Sequence, residues 1–429
     1  MRVLVIGGGG REHALVRRLR QSPLVDKIWC APGNGGIAAE AECLPADTGN
    51  LQELVDLAAR LSPDLTVVGP ELPLVKGIAD EFSRLGWPLV GPSRQAAQLE
   101  GSKVFAKEFL RRHAIPTARV LGYFDAPGAA YAALRGAAYP LVIKADGLCA
   151  GKGVLVAANA AEASGFIRRL MEENELGPGG KRVLAEEALE GDELSLMILT
   201  DGERVAPLAP ARDHKRVFDG NRGPNTGGMG SYSCDAILPP ALRDAVLSTI
   251  VGPTMRGLAA DNIRYQGFLY FGLMLTPSGP HVLEFNCRLG DPETQAIAAR
   301  MDFDLAEVLH DVTRHKLDPG KLKWRPGASI CVVMASGGYP GKFTTGKPIS
   351  GLTAVESMNG VAVLHAGTTR QDGTFLTSGG RVLGVTAYAG SLDAAARLAY
   401  QAAGRIRFEG MHFRRDIGIA PGQTRAAGE

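Results

Sequence analysis

If the segment H281-V-L-E-F-N-C-R288 is a strand, its side chains alternate between two faces. Leu283, Phe285 and Cys287 then point one way, and Glu284, Asn286 and Arg288 the other. A carboxylate, an amide oxygen and a guanidinium in a row can hold Mg²⁺ and steady a phosphoryl group in transfer, because Mg²⁺ takes few protein oxygens and completes its shell from phosphates and water. Read alone, the same pattern also fits an amphipathic surface strand. The exit L289-G-D-P-E-T294 adds two acids, and asparagine is depleted in strands, so the metal reading is favoured. A second chemical segment is K144-A-D-G-L-C-A-G-K-G-V154, between the apolar runs Y139-P-L-V-I-K144 and V154-L-V-A-A158. Strand, glycine-rich basic loop, strand is the local reading, and inward-turned backbone N–H groups with Lys144 and Lys152 suit a polyphosphate. It is not a P-loop: three residues separate Gly147 from Gly151, Gly153 replaces the magnesium-binding hydroxyl, and a strand follows.

Lys144, and Lys103 in L99-E-G-S-K103, each also fit a lysine whose stem covers apolar neighbours. Lys152 is harder to explain that way, since flexible glycines around a cation cost chain entropy and build no core. The long segment D213-H-K-R-V-F-D-G-N-R-G-P-N-T-G-G-M-G230 reads as irregular. Its lysine, arginines and amides suit an anion and Asp213 an ammonium, with a solvated loop as the alternative. Cys149 lacks a Cys-His signature and reads as a packing residue. No Ser-His-Asp spacing, H-E-x-x-H or paired-carboxylate hydrolase pattern appears around the eight histidines, which leaves phosphoryl transfer as the chemistry best supported.

These residues need elements to hold them. Residues 2–6 read as a buried strand ending in G7-G-G-G10, followed by a helix from Arg11 to about Gln21 and strands at K27-I-W-C-A31, D64-L-T-V-V-G69 and L89-V-G91. That alternation predicts a parallel sheet with helices on its faces. The dinucleotide fingerprint fails, because Glu12 stands at the third glycine position and Ala31 and Pro32 end the second strand; a phosphate at the helix N-terminus survives. From Ser102 to Asn174 come two helices, the lysine hairpin and a third helix. R182 to L189 and E193 to T200 read as strands joined by the turn E190-G-D192, with Val205 to Arg216 continuing the sheet. Pro239 to Asn262 is helical in pattern. G267 to T276 and H281 to R288 form a hairpin turned by Pro277, Ser278, Gly279 and Pro280. D318-P-G-K and W324-R-P-G mark a linker. The remainder is strand-rich, with a late helix from about Leu392 to Arg407 and a tail, Gly422 to Glu429, expected to fray.

A chain of 429 residues predicts about three domains. With 45% hydrophobic and 21% charged residues and a net charge of +2, it advertises neither a nucleic-acid surface nor an acidic tail. Six cysteines without a C-x-x-C pair predict reduced thiols in a cytoplasmic protein. The first apolar run is too short for a signal peptide, and none reaches membrane-spanning length.

Taken together, these segments resemble the ATP-grasp superfamily and, more narrowly, the phosphoribosylamine–glycine ligase family. The resemblance rests on G7-G-G-G-R-E-H-A14, A31-P-G-N34, V68-G-P-E71, L99-E-G-S-K103, I143-K-A-D-G147, E186-E-A-L189, D213-H-K-R216, G223-P-N-T-G-G-M-G230, L283-E-F-N-C-R-L-G-D-P-E-T-Q295, G337-G-Y-P-G341 and S378-G-G-R381. It implies an α/β and α+β multidomain chain: an N-terminal parallel α/β domain (1–101), an ATP-grasp fold (102–317) with a lid subdomain at about 120–190, and a C-terminal strand-rich domain (318–429). It implies that ATP lies under the hairpin lid around 147–153, with Lys103, Lys144, Gly151 and Lys152 at its phosphates, Glu186, Glu187 and Leu189 bordering adenine, and Glu193 on the ribose. Glu284 and Asn286 would take Mg²⁺ or Mn²⁺. Arg288 and Lys144 would assist phosphoryl transfer from ATP to glycine, with Asp213 or Asp291 meeting glycine's ammonium and Lys215, Gly227 and Gly228 nearby. 5-Phosphoribosylamine would sit with its phosphate near Gly9 and Gly10 and its ribose near Glu71. The resemblance further implies a monomer acting on small molecules, with no nucleic-acid or membrane partner. The sequence departs from the family pattern at Gly8, often Asn; at Cys149, usually Ala; and at Ala188, commonly Phe. The 267–274 strand also lacks the acid that many ATP-grasp enzymes place there as a metal ligand, so a ligand for a second metal ion is missing from it.

Overall fold

The computed structural model describes residues 1–149 and 151–419, so the tail expected to fray lies outside the described residues. The N-terminal strands form a parallel sheet in the order Glu42–Cys43, Lys27–Pro32, Arg2–Gly7, Leu65–Val68, Leu89–Val90. Val3 to Ile6 are fully buried, as a central strand covered on both faces requires. Glu42–Cys43, too short and polar to read as a strand, adds the edge. At the first turn Gly9 N–H donates to Glu12 Oε2 at 2.6 Å, so the acid that breaks the dinucleotide fingerprint caps the helix Gly10–Leu19 from within. A Cβ on Gly7, at φ +122°, would lie 2.7 Å from Glu12 Cγ.

Two antiparallel sheets follow. The lid sheet runs Val120–Phe124, Val183–Glu187, Leu141–Ala145, Val154–Ala157; the central sheet runs Val205–Pro207, Asp192–Thr200, Gly267–Thr276, Gly279–Asn286. The hairpin expected across E190-G-D192 is therefore corrected. Val183–Glu187 pairs inside the lid, whereas Asp192–Thr200 pairs along its whole length with Gly267–Thr276. The packing explains the split: Val183 and Ala185 join the lid core, while Leu194, Leu196 and Ile198 join Phe271 and Phe285 in the main core. Residues 188–191 thus cross from lid to body.

The Gly267–Thr276 and Gly279–Asn286 hairpin also turns more tightly than expected. Thr276 pairs with Gly279, so only Pro277 and Ser278 make the turn. The register slips after Gly272, which faces Glu284, while Leu273 faces Val282. Leu283 is the extra residue of this bulge and looks into the cleft instead of the core, where fully buried Val282 takes its place. From Glu284 onward the alternation holds, with Phe285 and Cys287 buried.

The C-terminal sheet runs Arg212–Asp213, Gly230–Cys234, Ala328–Ala335, Arg381–Ala389, Val361–His365. Two of its strands come from the middle of the chain and bracket the 213–230 segment, which is more ordered than its composition suggests: Arg216–Phe218 pairs with Arg222–Asn225. The helix Leu392–Ala403 lies on this sheet through five buried alanines and ends before the expected Arg407. No helix among the described residues is long and apolar enough to cross a membrane.

Candidate active site

A cleft of about 2170 Å³ opens between these sheets. Glu71, Lys103, Lys144, Gly151, Lys152, Glu186, Glu187, Leu189, Glu193, Asp213, Lys215, Gly227, Glu284, Asn286, Arg288 and Asp291 all line it; Gly9, Gly10 and Gly228 do not. The bulge at Leu283 and the period of the strand after it turn Glu284, Asn286 and Arg288 into this space together.

Arg288 is fixed from three sides. Its Nε lies 3.3 Å from Glu71 Oε2, its Nη2 lies 2.9 Å from Glu100 Oε1, and Nη2 also donates to Asn286 Oδ1 at 3.3 Å. Burial opposes its charge, but Glu100 and Glu71 outweigh that and hold the guanidinium firmly protonated. Glu100 is itself tied down, accepting from Cys287 N–H at 2.7 Å. Lys215 Nζ lies 2.9 Å from Glu193 and 3.7 Å from Glu284. Burial favours the neutral form of Glu284, yet Lys215, Lys144, Lys103 and Arg288 together keep its carboxyl below the usual range. Among the described residues no three acidic, histidine or cysteine side chains gather as a metal cage. Two oxygen donors on one strand face, ringed by cations, fit a divalent ion that draws its remaining ligands from phosphates and water.

The lysines divide into two kinds. Lys103 opens the helix Lys103–Arg112, whose cap Ser102 and first N–H groups are bonded to Asp146 of the lid loop; its Nζ donates to Gly147 O at 3.4 Å. Lys152 is exposed and makes no ion pair among the described residues. Lys144 is buried: its Nζ lies 2.5 Å from Glu186 Oε1 and donates to Leu283 O at 2.9 Å. Glu186, expected beside adenine, also lies 2.6 Å from the Nζ of a second buried lysine, Lys107, so one carboxylate serves two ammoniums.

At the other end of the cleft Asp213 accepts from His214 N–H at 2.7 Å, and burial together with Glu293 pushes its carboxyl well up. Asp291 accepts from Gln295 at 2.8 Å and Arg11 N–H at 3.3 Å and lies 3.4 Å from Arg381. Burial opposes the Asp291 charge, but Arg381 and Arg11 keep its carboxyl low. Glu12 and Asp291 therefore already occupy the helix N-terminus at Gly9–Arg11 where a phosphate was expected. A Cβ on Gly10 would meet Gln295 Nε2 at 2.5 Å, and one on Gly228, at φ +110°, would meet Asp213 Oδ1 at 2.7 Å.

Residues 1–100, 101–294 and 329–420 match the N domain, the ATP-grasp (A) domain and the C domain of phosphoribosylglycinamide synthetase. A phosphoribosylamine–glycine ligase of Vibrio vulnificus is 48% identical over 422 residues, covering 97% of this chain and 98% of the relative. The chain belongs to the phosphoribosylglycinamide synthetase family. A Pseudomonas aeruginosa phosphoribosylamine–glycine ligase is 47% identical over 97% of each chain. The crystal structure of the Thermotoga maritima phosphoribosylamine–glycine ligase superposes with a TM-score of 0.84 at 32% identity, covering 97% of this chain and all of that one. The biotin carboxylase domain of Hydrogenobacter thermophilus 2-oxoglutarate carboxylase, solved with MgADP, shares the fold at a TM-score of 0.73 and 17% identity, over 96% and 91% of the two chains.

Several cleft residues of this phosphoribosylglycinamide synthetase family member escaped the reading of its sequence. Glu100 sits inside L99-E-G-S-K103, which drew notice for its lysine. Lys107 lies one helical turn after Lys103, a spacing that puts both on one side of the helix. Arg381, in S378-G-G-R381, donates from Nη1 to Gly227 O at 2.6 Å and Asp291 O at 2.7 Å, so a C-terminal strand clamps two loops of the site. Glu293, by contrast, is one of the two acids the sequence offered at the strand's exit, and it turns into the wall, where it accepts from Ser195, which bonds Tyr270. None of these contacts has a signal in local sequence, because each joins segments far apart in the chain.

Proposed function

We propose that the chain joins glycine to 5-phosphoribosylamine at the expense of ATP, giving glycinamide ribonucleotide, ADP and phosphate in de novo purine biosynthesis. The observation that carries this reading is the convergence of Lys103, Lys144 and Lys152 with Glu284, Asn286 and Arg288 on one cleft. The lysines take the triphosphate, Glu187 and Leu189 border the adenine where the chain crosses from lid to body, and Glu193 meets the nucleotide ribose. A divalent cation held by Glu284 and Asn286, Mg²⁺ or Mn²⁺, would neutralise phosphate charge when bound. Arg288, immobilised by Glu71 and Glu100, faces the charge that develops as the γ-phosphoryl group passes to the glycine carboxylate. The resulting glycyl phosphate is attacked by the amine of phosphoribosylamine, and phosphate leaves. Because water competes for that intermediate, the lid hairpin serves to exclude it.

Asp213 meets glycine's ammonium, a cation that offsets the burial and the Glu293 charge otherwise keeping its carboxyl up, with Lys215, Gly227 and Gly228 shaping the pocket and Asp291 as the second acid. Phosphoribosylamine lies against Glu71 and the Gly9–Arg11 turn, its phosphate competing with Asp291 for the Arg11 N–H. Every group in this scheme comes from one chain, so a monomer suffices, and six free cysteines fit a cytoplasmic enzyme. The test is ADP release with freshly made phosphoribosylamine. Release that requires glycine supports the reading; release driven by bicarbonate or formate instead would replace it with another ATP-grasp activity.

A further inference from the structure

Lys107 is 4% exposed, lines the cleft and has no part in the scheme above. It stands on the body helix Lys103–Arg112 and reaches across to Glu186 of the lid strand Val183–Glu187, 2.6 Å away. Two further contacts anchor it to the body: its ammonium donates to Thr117 Oγ1 at 2.5 Å and Ala118 O at 3.3 Å. Lys144, on the neighbouring lid strand, makes the opposite reach, from lid to Leu283 O of the body. Glu186, 1% exposed, is the one carboxylate between the two ammoniums. The charged groups facing Lys107 are Glu186, Lys144 and, more weakly, Glu187, whose carboxylate already accepts from Arg119 N–H at 2.8 Å. The two buried cations share one directly bonded anion, with Glu187 and, for Lys144, Glu284 acting only at longer range, and an under-compensated buried charge is costly. An anion entering the cleft relieves it.

We propose that Lys107 is a positioning residue for the nucleotide: it keeps Glu186 engaged, so that the Lys144 ammonium is free to turn to a phosphate, and its proton sets the upper pH limit of nucleotide affinity. If Lys107 is neutral or missing, Glu186 falls wholly to Lys144, the pair tightens, and the wall loses the charge that draws the ligand. Burial depresses the Lys107 ammonium to about 8, inside the range a titration can reach. Binding favours the protonated form, so affinity is full below that value and falls above it.

This inference rests on the nucleotide site proposed above. The experiment is the affinity of the full chain for a non-hydrolysable ATP analogue with Mg²⁺, measured from about pH 7 to about pH 9.5 in wild type, Lys107→Met and Lys107→Arg, with thermal melts to confirm folding. Wild type should lose up to about tenfold in affinity per pH unit above about 8, one proton's worth. Lys107→Met should bind about tenfold more weakly at pH ~7 and show no alkaline loss. Lys107→Arg, charged throughout, should bind like wild type at pH ~7 and also lack the alkaline loss. A flat wild-type profile overturns the inference, as does an unchanged alkaline loss in Lys107→Arg, which decides the matter if Lys107→Met fails to fold. Wild type that does not bind the analogue at neutral pH overturns the nucleotide site itself, and this inference with it.

Discussion

Lys144 and Arg288 show how little freedom the candidate catalytic side chains have. Each is buried or half-buried, and each is held by carboxylates that themselves have further donors, the arrangement that keeps a reacting group in place without reorganisation at the moment of transfer. Lys144→Ala should abolish most ADP formation, by about a hundredfold or more, while the fold persists, because Lys107 remains on Glu186. Steady-state rates with a melt of the same sample check this, and full turnover in the variant would remove Lys144 from the chemistry. Glu100→Gln should lower kcat more than it raises the KM for ATP, because its defect lies in holding Arg288 rather than in contacting nucleotide. The outcome to look for is the split between the two constants; a change in KM alone would count against a positioning role.

The elements explain why some of this was legible from sequence and some was not. The period of two along Glu284, Asn286 and Arg288 survives in the structure because Phe285 and Cys287 alternate with them as core. Leu283 broke the same rule, since a bulge depends on which residue sits opposite in the partner strand, and that register is tertiary information. For the same reason E190-G-D192 looked like a hairpin turn although its flanking strands belong to different sheets. The glycine-rich 213–230 segment read as loose although it forms its own short hairpin, because its strands are only three or four residues long and lack apolar alternation. Its end is fixed by pairing of Gly230–Cys234 with the C-terminal strand Ala328–Ala335. Its Gly228 offers an element-level test. At φ +110°, with Pro292 and Asp213 packed against it, Gly228→Ala must shift the Asp213 carboxylate. We expect the KM for glycine to rise severalfold while the affinity for ATP holds; the reverse pattern would move the glycine site away from Asp213.

At the scale of the whole molecule, the N-terminal helix and the C-terminal sheet meet through a histidine pair. His13, 1% exposed, accepts His365 N–H on Nδ1 at 2.8 Å and faces Glu40 through Nε2 at 3.2 Å, so the junction needs a neutral imidazole. Burial lowers both histidines, His365 to about 3. The unfolded chain binds more protons than the folded one below the ordinary value of 6.5, so stability falls as pH drops from there toward 3, at about 1.4 kcal/mol per unit for His365. Glu40, held at about 2 by His13 and Arg17 against its burial, adds a further loss below about 4.5. Hydrogen exchange should register this first in Val361–His365, with protection lost between about pH 6.5 and about pH 4; exchange that stays uniform across the sheet would mean the junction is not the weak point.

The proposed chemistry depends on a single triphosphate that would span the cleft from the lid and body lysines to the oxygen-bearing face of the central hairpin. A crystal structure with a non-hydrolysable ATP analogue, Mg²⁺ and glycine tests that most directly. The phosphates should contact Lys103, Lys144 and Lys152, with the cation on Glu284 and Asn286. A nucleotide bound elsewhere, or a cation away from those two residues, would contradict the account.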